Sequence, residues 1–234
     1  MAAMDFVQDG ERVNRLQIAK SVLDGFIDQR SNDRLGLVAF AGRAYIAAPL
    51  TLDHDFFRMN LKRLDLGIAE DGTAIGSALT AALNRLRGVE SKSRIVILMT
   101  DGQNNAGKIP PLTAAEAADA LEVKVYTIGV GTKGMAPFPQ KDPFGRTVFV
   151  QAKVDIDEQT LKEVAQKTGG KYYRADNTEA FKEIYAEIDR LEKTEVEMKQ
   201  YTRHEELAAW FLIPALSLLL LELILQHTVW RKLP

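Results

Sequence analysis

The sequence has no cysteine, only three histidines and no excess of charge of either sign. Its 234 residues include 30 lysines and arginines and 32 aspartates and glutamates, a formal net charge of -2. The lack of cysteine excludes disulfide scaffolds, cysteine-bound zinc, iron–sulfur clusters and thiol catalysis. His54, His204 and His227 lie far apart, which disfavours a multi-histidine metal site. Without a basic excess, no nucleic-acid partner is expected.

Long apolar runs are rare in the chain, except at its C-terminal end. The mean hydropathy of -0.14 is that of a soluble protein, but Leu207 to Leu225 carries a single charge, Glu222. A helix of this length spans about 28 Å, which matches the roughly 30 Å hydrocarbon core of a bilayer. Its leucines face all sides, which favours a membrane helix over the alternative, a buried core helix. Trp210 and Trp230 lie near its two ends, where interfacial aromatics occur.

The basic end of the chain sets the expected orientation. We predict a linker over 197–206, a single membrane helix over 207–228 and a cytoplasmic tail over 229–234, because Arg231 and Lys232 follow the apolar run. The large domain before it then lies outside the cytoplasm, on the periplasmic side in a bacterium. The expected location is therefore the cell membrane.

The rest of the chain alternates between strand and helix patterns. Apolar stripes predict helices, whereas short apolar runs such as Arg34 to Phe40 and Arg94 to Met99 predict strands, the latter buried on both faces of a parallel sheet. This alternation predicts an α/β fold with a doubly wound, mostly parallel sheet. The short connection from Arg34–Phe40 to Ala44–Ala48 suggests an antiparallel hairpin. Residues 131–154 interrupt the rhythm and are expected to form a surface excursion with a small β hairpin.

Two polar motifs lie at or beside the predicted carboxyl ends of strands, which is where ligands bind in open α/β sheets. Thr73 lies in the motif EDGTAIGSAL, and Asp101 follows a strand in RIVILMTDGQNN. A hydroxyl and a carboxylate on neighbouring loops are hard oxygen ligands suited to Mg²⁺, Mn²⁺ or Ca²⁺. The alternative is that Thr73 only caps a helix and Asp101 only forms a turn. The nearby amides of Asn104 and Asn105 are expected to shape the loop around Asp101.

These two motifs, together with the hairpin sequence RLGLVAFAGRAYIAAPLT, resemble a von Willebrand factor type A domain. More narrowly, the chain is similar to the membrane-anchored, aerotolerance-type (Bat) proteins of bacteria, which carry such a domain followed by a final membrane helix with a short basic tail. The resemblance covers essentially the whole chain. It implies that residues 1–196 form this domain.

The resemblance also implies a metal-ion-dependent adhesion site. In it Thr73 would be the ligand from the second loop and Asp101 the carboxylate from the third, often acting through water. The family's Asp-x-Ser-x-Ser ligand motif is absent, and the sequence starts with MAAMDF, a segment that follows those serines in relatives. We therefore expect an upstream segment with the first, central strand and at least one further membrane helix. The alternative is that the short chain is real and has lost three ligands. Without those ligands, the chain is expected to bind a metal weakly or not at all.

The resemblance implies binding rather than catalysis, so the protein is not expected to be an enzyme. The metal would accept a carboxylate from a protein partner in a bacterial envelope complex, and by analogy a MoxR-type ATPase would be associated with it. Two alternatives remain. One is a Mg²⁺-dependent phosphohydrolase with phosphate held at the Thr73 loop. The other is a structural domain with a dead metal site.

Overall fold

A computed structural model describes residues 1–200 apart from positions 9, 69, 92 and 143, and then positions 212, 214–219, 222 and 223. Within residues 1–200, and apart from those four positions, side chains are described as far as residue 192. Strands and helices alternate along most of the chain, as the sequence predicts. The elements are β1 Phe6–Gln8, β2 Glu11–Val13, α1 Arg15–Ile27, β3 Leu35–Phe40, β4 Ala44–Thr51, α2 His54–Arg63, α3 Ile75–Leu86, β5 Ile95–Thr100, α4 Pro111–Ala120, β6 Lys124–Val130, β7 Gly134–Lys141, β8 Thr147–Val154, α5 Glu158–Lys167, β9 Tyr172–Ala175 and α6 Thr178–Gln200.

The central sheet is parallel, with the strand order β5-β6-β9. Strand β6 alternates its side chains between two apolar cores, as the period of two in a strand requires. Tyr126 and Ile128 face a core shared with α1 and α6, whereas Val125 faces a core shared with α3, α4 and α5. Helices therefore cover both faces of the sheet, which is the arrangement of a doubly wound α/β fold.

Strands β3 and β4 form an antiparallel hairpin, as predicted, and it is a separate sheet in the part of the chain described. A third apolar cluster of Ile27, Ala48, Phe57 and Leu61 packs this hairpin against α1 and α2. Among the described strands, β5 hydrogen-bonds to β6 and lies at the edge of its sheet. Apolar cores lie against both of its faces, as expected, with Ile97 and Met99 on one side and Val96 and Leu98 on the other. Its side chains are nevertheless only half-buried, apart from Leu98 and Thr100.

The described residues form two further hairpins, of which the sequence predicts one. The hairpin of β7 and β8 confirms the predicted surface excursion over 131–154. The short hairpin of β1 and β2 was not predicted, because each of its strands has only three residues and no clear alternation. Phe6 of β1 is buried against Phe181 of α6, so this hairpin covers one end of the core.

The C-terminal predictions fall largely outside the described residues. The compact unit that contains all the strands runs from Met1 to Lys193, and α6 extends to Gln200, so residues 197–200 of the expected linker are helical. Most of the predicted membrane helix over 207–228 and the whole tail over 229–234 lie outside the described residues. Among the residues that are described, no helix is both long and apolar enough to cross a membrane.

Candidate functional site

Asp101 follows β5 at the carboxyl end of the parallel sheet, as the sequence predicts. The backbone turns sharply here, because Gly102 donates its N–H to the hydroxyl of the buried Thr100, with 3.3 Å between N and Oγ1. A side chain on the last residue of the strand thus closes the turn that presents Asp101. The carboxylate of Asp101 remains partly accessible, with 17% of its side chain exposed.

Thr73 is held beside this turn by two amide side chains from the β5–α4 loop. The Thr73 N–H donates to Asn105 Oδ1 at 2.7 Å, and the Ile75 N–H donates to Asn104 Oδ1 at 2.9 Å. The first N–H of α3, that of Ile75, is therefore capped by Asn104 from another loop, and the N-cap residue, Ala74, makes no side-chain cap. The alternative that Thr73 serves as the helix cap is wrong, and the expectation that the two asparagines shape this loop is confirmed.

Glycines let the loops approach one another closely. A Cβ at Gly102 would stand 3.0 Å from Thr73 Oγ1, so the hydroxyl lies directly against the turn after Asp101. The turn between β3 and β4 joins them, since Gly42 donates to the Glu70 carbonyl at 2.7 Å and Ala41 accepts from Ala74 N–H at 2.8 Å. The structure therefore brings the two predicted site residues together. It also places the β3–β4 turn beside them.

A buried arginine links Asp101 to a second carboxylate. The side chain of Arg15 is fully buried, and its Nε and Nη2 donate to the two oxygens of Asp5 at 2.8 and 2.5 Å. Its Nη1 donates to Asp101 Oδ2 at 3.2 Å. The ammonium group of Met1 also contacts Asp101 Oδ2. One guanidinium thus fixes two carboxylates, and the fork geometry of arginine suits such bridging.

The loop after β6 completes this cluster. Thr132 donates both its N–H and its hydroxyl to Asp5 Oδ2, at 3.0 and 3.1 Å. Burial acts to raise the pKa of Asp5, but the hydrogen bonds from Arg15 and Thr132 outweigh it and hold that pKa below its ordinary value. Gly131 lies against the guanidinium with a φ of +120°, and a Cβ there would stand 2.2 Å from Arg15 Cζ. Only glycine fits at this point.

Asp5, Arg15 and Thr132 were not identified from the sequence. The available signal was the helical stripe of α1, in which Arg15 occupies the same face as Ile18, Ala19 and Val22. A charged residue on an apolar stripe implies a buried partner of opposite charge. Neither Asp5 nor Thr132 has a sequence pattern that names it as that partner, since they lie 10 and 117 residues away from Arg15 in the chain.

The donors present are of the kind that a hard divalent cation takes. Thr73 and Asp101 offer a hydroxyl and a carboxylate from neighbouring loops at the end of the sheet. Both oxygens of Asp5 are used by Arg15 and Thr132, whereas the described contacts of Asp101 with Arg15 and Met1 are made through Oδ2. Within the described residues there is no group of three or more histidine, cysteine, aspartate or glutamate side chains that could hold a metal. Mg²⁺ takes six oxygen ligands. The two residues therefore fit as part of a coordination shell that water or a partner's oxygens would have to complete.

The chain is similar to one known protein family and to several solved structures. A family profile for the von Willebrand factor type A domain matches residues 7–187. The crystal structure of BatB from Bacteroides thetaiotaomicron is 32% identical with a TM-score of 0.67, covering 82% of this chain and 93% of that one. An aerotolerance-related membrane protein from Bacteroides fragilis is 28% identical with a TM-score of 0.66, covering 85% and 93%.

A longer relative and a more distant structure complete the comparison. An uncharacterized protein of Borreliella burgdorferi is 32% identical over 220 residues, and the match covers 94% of this chain but only 64% of that protein's length. Proximal thread matrix protein 1 from the mussel byssus was solved with a zinc-occupied MIDAS (metal-ion-dependent adhesion site) motif. It is 21% identical with a TM-score of 0.53, and the match covers 74% of this chain and 41% of that one. At that identity it shows a shared fold only.

Proposed function

The chain belongs to the von Willebrand factor type A family, in its Bat-type branch, and we propose that it binds a protein partner through a divalent cation at Thr73 and Asp101. The observation that carries this proposal is the placement of the Thr73 hydroxyl against the Asp101–Gly102 turn by two asparagine caps. Such a loop is built to present an oxygen ligand. A bound cation would supply a Lewis acid that accepts a carboxylate from the partner.

The surroundings of the two ligands support binding rather than turnover. Arg15 is buried and committed to two carboxylates, and Asn104 and Asn105 are committed to backbone N–H groups. The contacts described around Thr73 and Asp101 are therefore structural, and no general base or nucleophile is among them. The mussel protein, which shares this fold, was solved with zinc in its MIDAS motif. We leave the metal open among Mg²⁺, Mn²⁺ and Ca²⁺, all of which take oxygen ligands.

The membrane setting of this function is part of the proposal. A Bacteroides relative is described as an aerotolerance-related membrane protein, which supports membrane association for this chain through the apolar run at 207–228. We propose that the domain lies on the periplasmic side and acts in an envelope complex, with a MoxR-type ATPase as an associated component. The partner contributes an aspartate or glutamate side chain to the metal.

Capture of envelope proteins on the immobilised 234-residue chain tests the proposal. Proteins retained in Mg²⁺ should be released by EDTA, and the Thr73→Val variant should retain none of them because it loses the hydroxyl ligand. Asp71→Asn, which changes a carboxylate two residues before Thr73, serves as the matched control and should retain the same set. A purified MoxR-type ATPase is tested in the same format.

Two results would overturn the proposal. Equal retention by the native chain and the Thr73→Val variant would show that the site takes no part in binding. Mg²⁺-dependent hydrolysis of p-nitrophenyl phosphate that disappears in the same variant would show phosphohydrolase activity instead.

A further inference from the structure

The hairpin of β7 and β8 forms a two-stranded sheet of its own in the described part of the chain. Its strands pair over eight residues each, from Gly134 opposite Val154 to Lys141 opposite Thr147. Ala136 near its base is buried, whereas most of β8 is exposed. A two-stranded sheet has two open edges, and the fate of each edge decides whether another strand can join it.

Two hydrogen bonds show which backbone groups point outwards. Met4 N–H donates to the carbonyl of Pro137 at 2.9 Å, so that carbonyl points away from β8. At the turn, the Asp142 N–H donates to the Arg146 carbonyl at 2.9 Å, so the backbone groups of Asp142 point towards the opposite strand. In an antiparallel pair, the N–H and C=O of one residue point to the same side, and successive residues alternate. The odd-numbered residues of both strands therefore direct their backbone groups outwards.

The outer edge of β7 is closed to further pairing. Pro137 and Pro139 both fall on outward positions, where they have no N–H to donate. The outward carbonyl of Pro137 is already used by Met4. Prolines at outward positions are a recognised means of blocking an edge strand.

Among the residues that the structure describes, nothing protects the outer edge of β8 in this way. Because Gln151 pairs with Pro137 in the register, its backbone groups also point outwards, and the same holds for Thr147, Phe149 and Lys153. Strand β8 contains no proline and has a single charged residue, Lys153. The apolar side chains along it are open to solvent, with Phe149 51% exposed. One edge of the hairpin is thus closed and the other is left able to pair.

We propose that the outer edge of β8 binds an extended, acidic and apolar segment of a partner protein by strand addition. Backbone hydrogen bonds to the outward residues would supply the affinity, and side chains beside Val148, Phe149 and Val150 would supply apolar contact. The charge of the hairpin selects the partner, since residues 134–154 contain three basic residues and one acidic residue in a chain of net charge -2. A second copy would set one basic hairpin against another, which like-charge repulsion disfavours.

Binding of a defined peptide to the 234-residue chain tests this assignment. The probe is a fluorescein-labelled octapeptide of sequence EVTVEVTE, and its partner probe, KVTVKVTK, reverses the charge. Fluorescence anisotropy should show that the acidic peptide binds and that the basic peptide does not. Amide hydrogen exchange should slow by about tenfold at Phe149 and Gln151, whereas Val148 and Val150, which already bond to β7, should not change.

Two variants separate edge pairing from general surface attraction. Gln151→Pro removes one outward N–H without touching the bonds to β7, and it should weaken binding of the acidic peptide by about tenfold or more. Gln151→Thr keeps that N–H and should bind like the native chain. Equal melting temperatures of the two variants show that the hairpin is intact.

The proposal fails if Gln151→Pro binds the acidic peptide as tightly as Gln151→Thr, or if the native chain does not bind it. It also fails if exchange at Phe149 and Gln151 is slowed instead by phosphatidylglycerol vesicles or by self-association seen in sedimentation. The first of these would identify the hairpin as a lipid-binding element, and the second would identify the edge as a dimer contact.

Discussion

At the scale of single residues, the organisation of the site rests on side chains whose sequence position gives little hint of their role. Arg15 connects Asp5 with Asp101, while Asn104 replaces the side-chain cap that α3 lacks and Asn105 holds Thr73 just before the helix. Each of these side chains forms its hydrogen bonds with residues at least ten positions away in the chain. The site is consequently sensitive to substitutions at positions that would not themselves touch a cation.

Replacement of Arg15 by methionine should destabilise the domain by about 3–5 kcal/mol. The substitution leaves Asp5 buried with its main cationic partner removed, and an uncompensated buried charge costs about that much. Urea denaturation followed by circular dichroism measures the change. Arg58→Met removes an arginine that pairs with Asp24 and Asp28 at the surface and should change stability little. Equal losses in the two variants would show that the buried cluster has no special role.

Asn105→Ala should lower the unfolding free energy by about 0.5–1.5 kcal/mol, the range for loss of one hydrogen bond. The Thr73 N–H then loses its acceptor, and the loop that carries the Thr73 hydroxyl loosens. The matched control is Asn84→Ala on the exposed side of α3, which should be nearly neutral. Faster amide exchange at Thr73 in Asn105→Ala alone confirms the role of the cap, and identical exchange in both variants would refute it.

At the scale of elements, α3 is placed by its contact with the loop that follows β5. Gly76 in the first turn of α3 lies against this loop, and a Cβ there would stand 2.0 Å from the carbonyl oxygen of Ile109. Because the obstacle is backbone, the loop can relieve the clash only by moving, and Asn104 and Asn105 would move with it. The close contact of helix and loop thus determines the spacing between Thr73 and Asp101.

Gly76→Ala should therefore destabilise the domain and weaken metal binding, although alanine is the better helix former. Gly25→Ala in α1 provides the matched control, because nothing lies within 4 Å of a Cβ at that exposed position. It should stabilise the chain by about 0.5–1 kcal/mol. Thermal unfolding of both variants gives the comparison. Stabilisation by Gly76→Ala would show that the loop does not rest on α3 as described.

At the scale of the whole molecule, much of the architecture could be predicted from periodicity and capping signals. Asp53 and Asp157 cap α2 and α5, and the parallel order and both longer hairpins follow from local patterns. The cluster around Arg15 could not be predicted, because its members come together only through tertiary packing. The side chains of β5 are only half-buried because β5 is an edge strand among those described, and its own apolar sequence does not predict an edge position.

Acid stability depends on a carboxylate that holds α6 against the sheet. Glu192 is buried, and it accepts hydrogen bonds from Ser93, Lys124 and Tyr126. Burial acts to raise the pKa of Glu192, but these hydrogen bonds prevail and lower it below the ordinary value. A carboxylate with a lowered pKa contributes stability above its unfolded pKa of about 4.3, and this contribution is lost as the pH falls.

The unfolding free energy should therefore fall as the pH drops from about 5 towards 3, and Glu192→Gln should reduce that slope. Glu90→Gln, at an exposed position, should keep the slope of the native chain. Urea titrations at a series of pH values provide the measurement. A slope unchanged by Glu192→Gln would show that Glu192 does not anchor α6 electrostatically.

The central claim is that Thr73 and Asp101 together hold a divalent cation. Titration of the 234-residue chain with Mn²⁺, followed by electron paramagnetic resonance of the free ion, tests it most directly. We expect weak binding, with a dissociation constant on the order of 10⁻⁴–10⁻³ M. Thr73→Val and Asp101→Asn should each weaken it by about tenfold or more, with Asp71→Asn unchanged. Equal affinity in all four proteins, or no binding by the native chain, would contradict the claim.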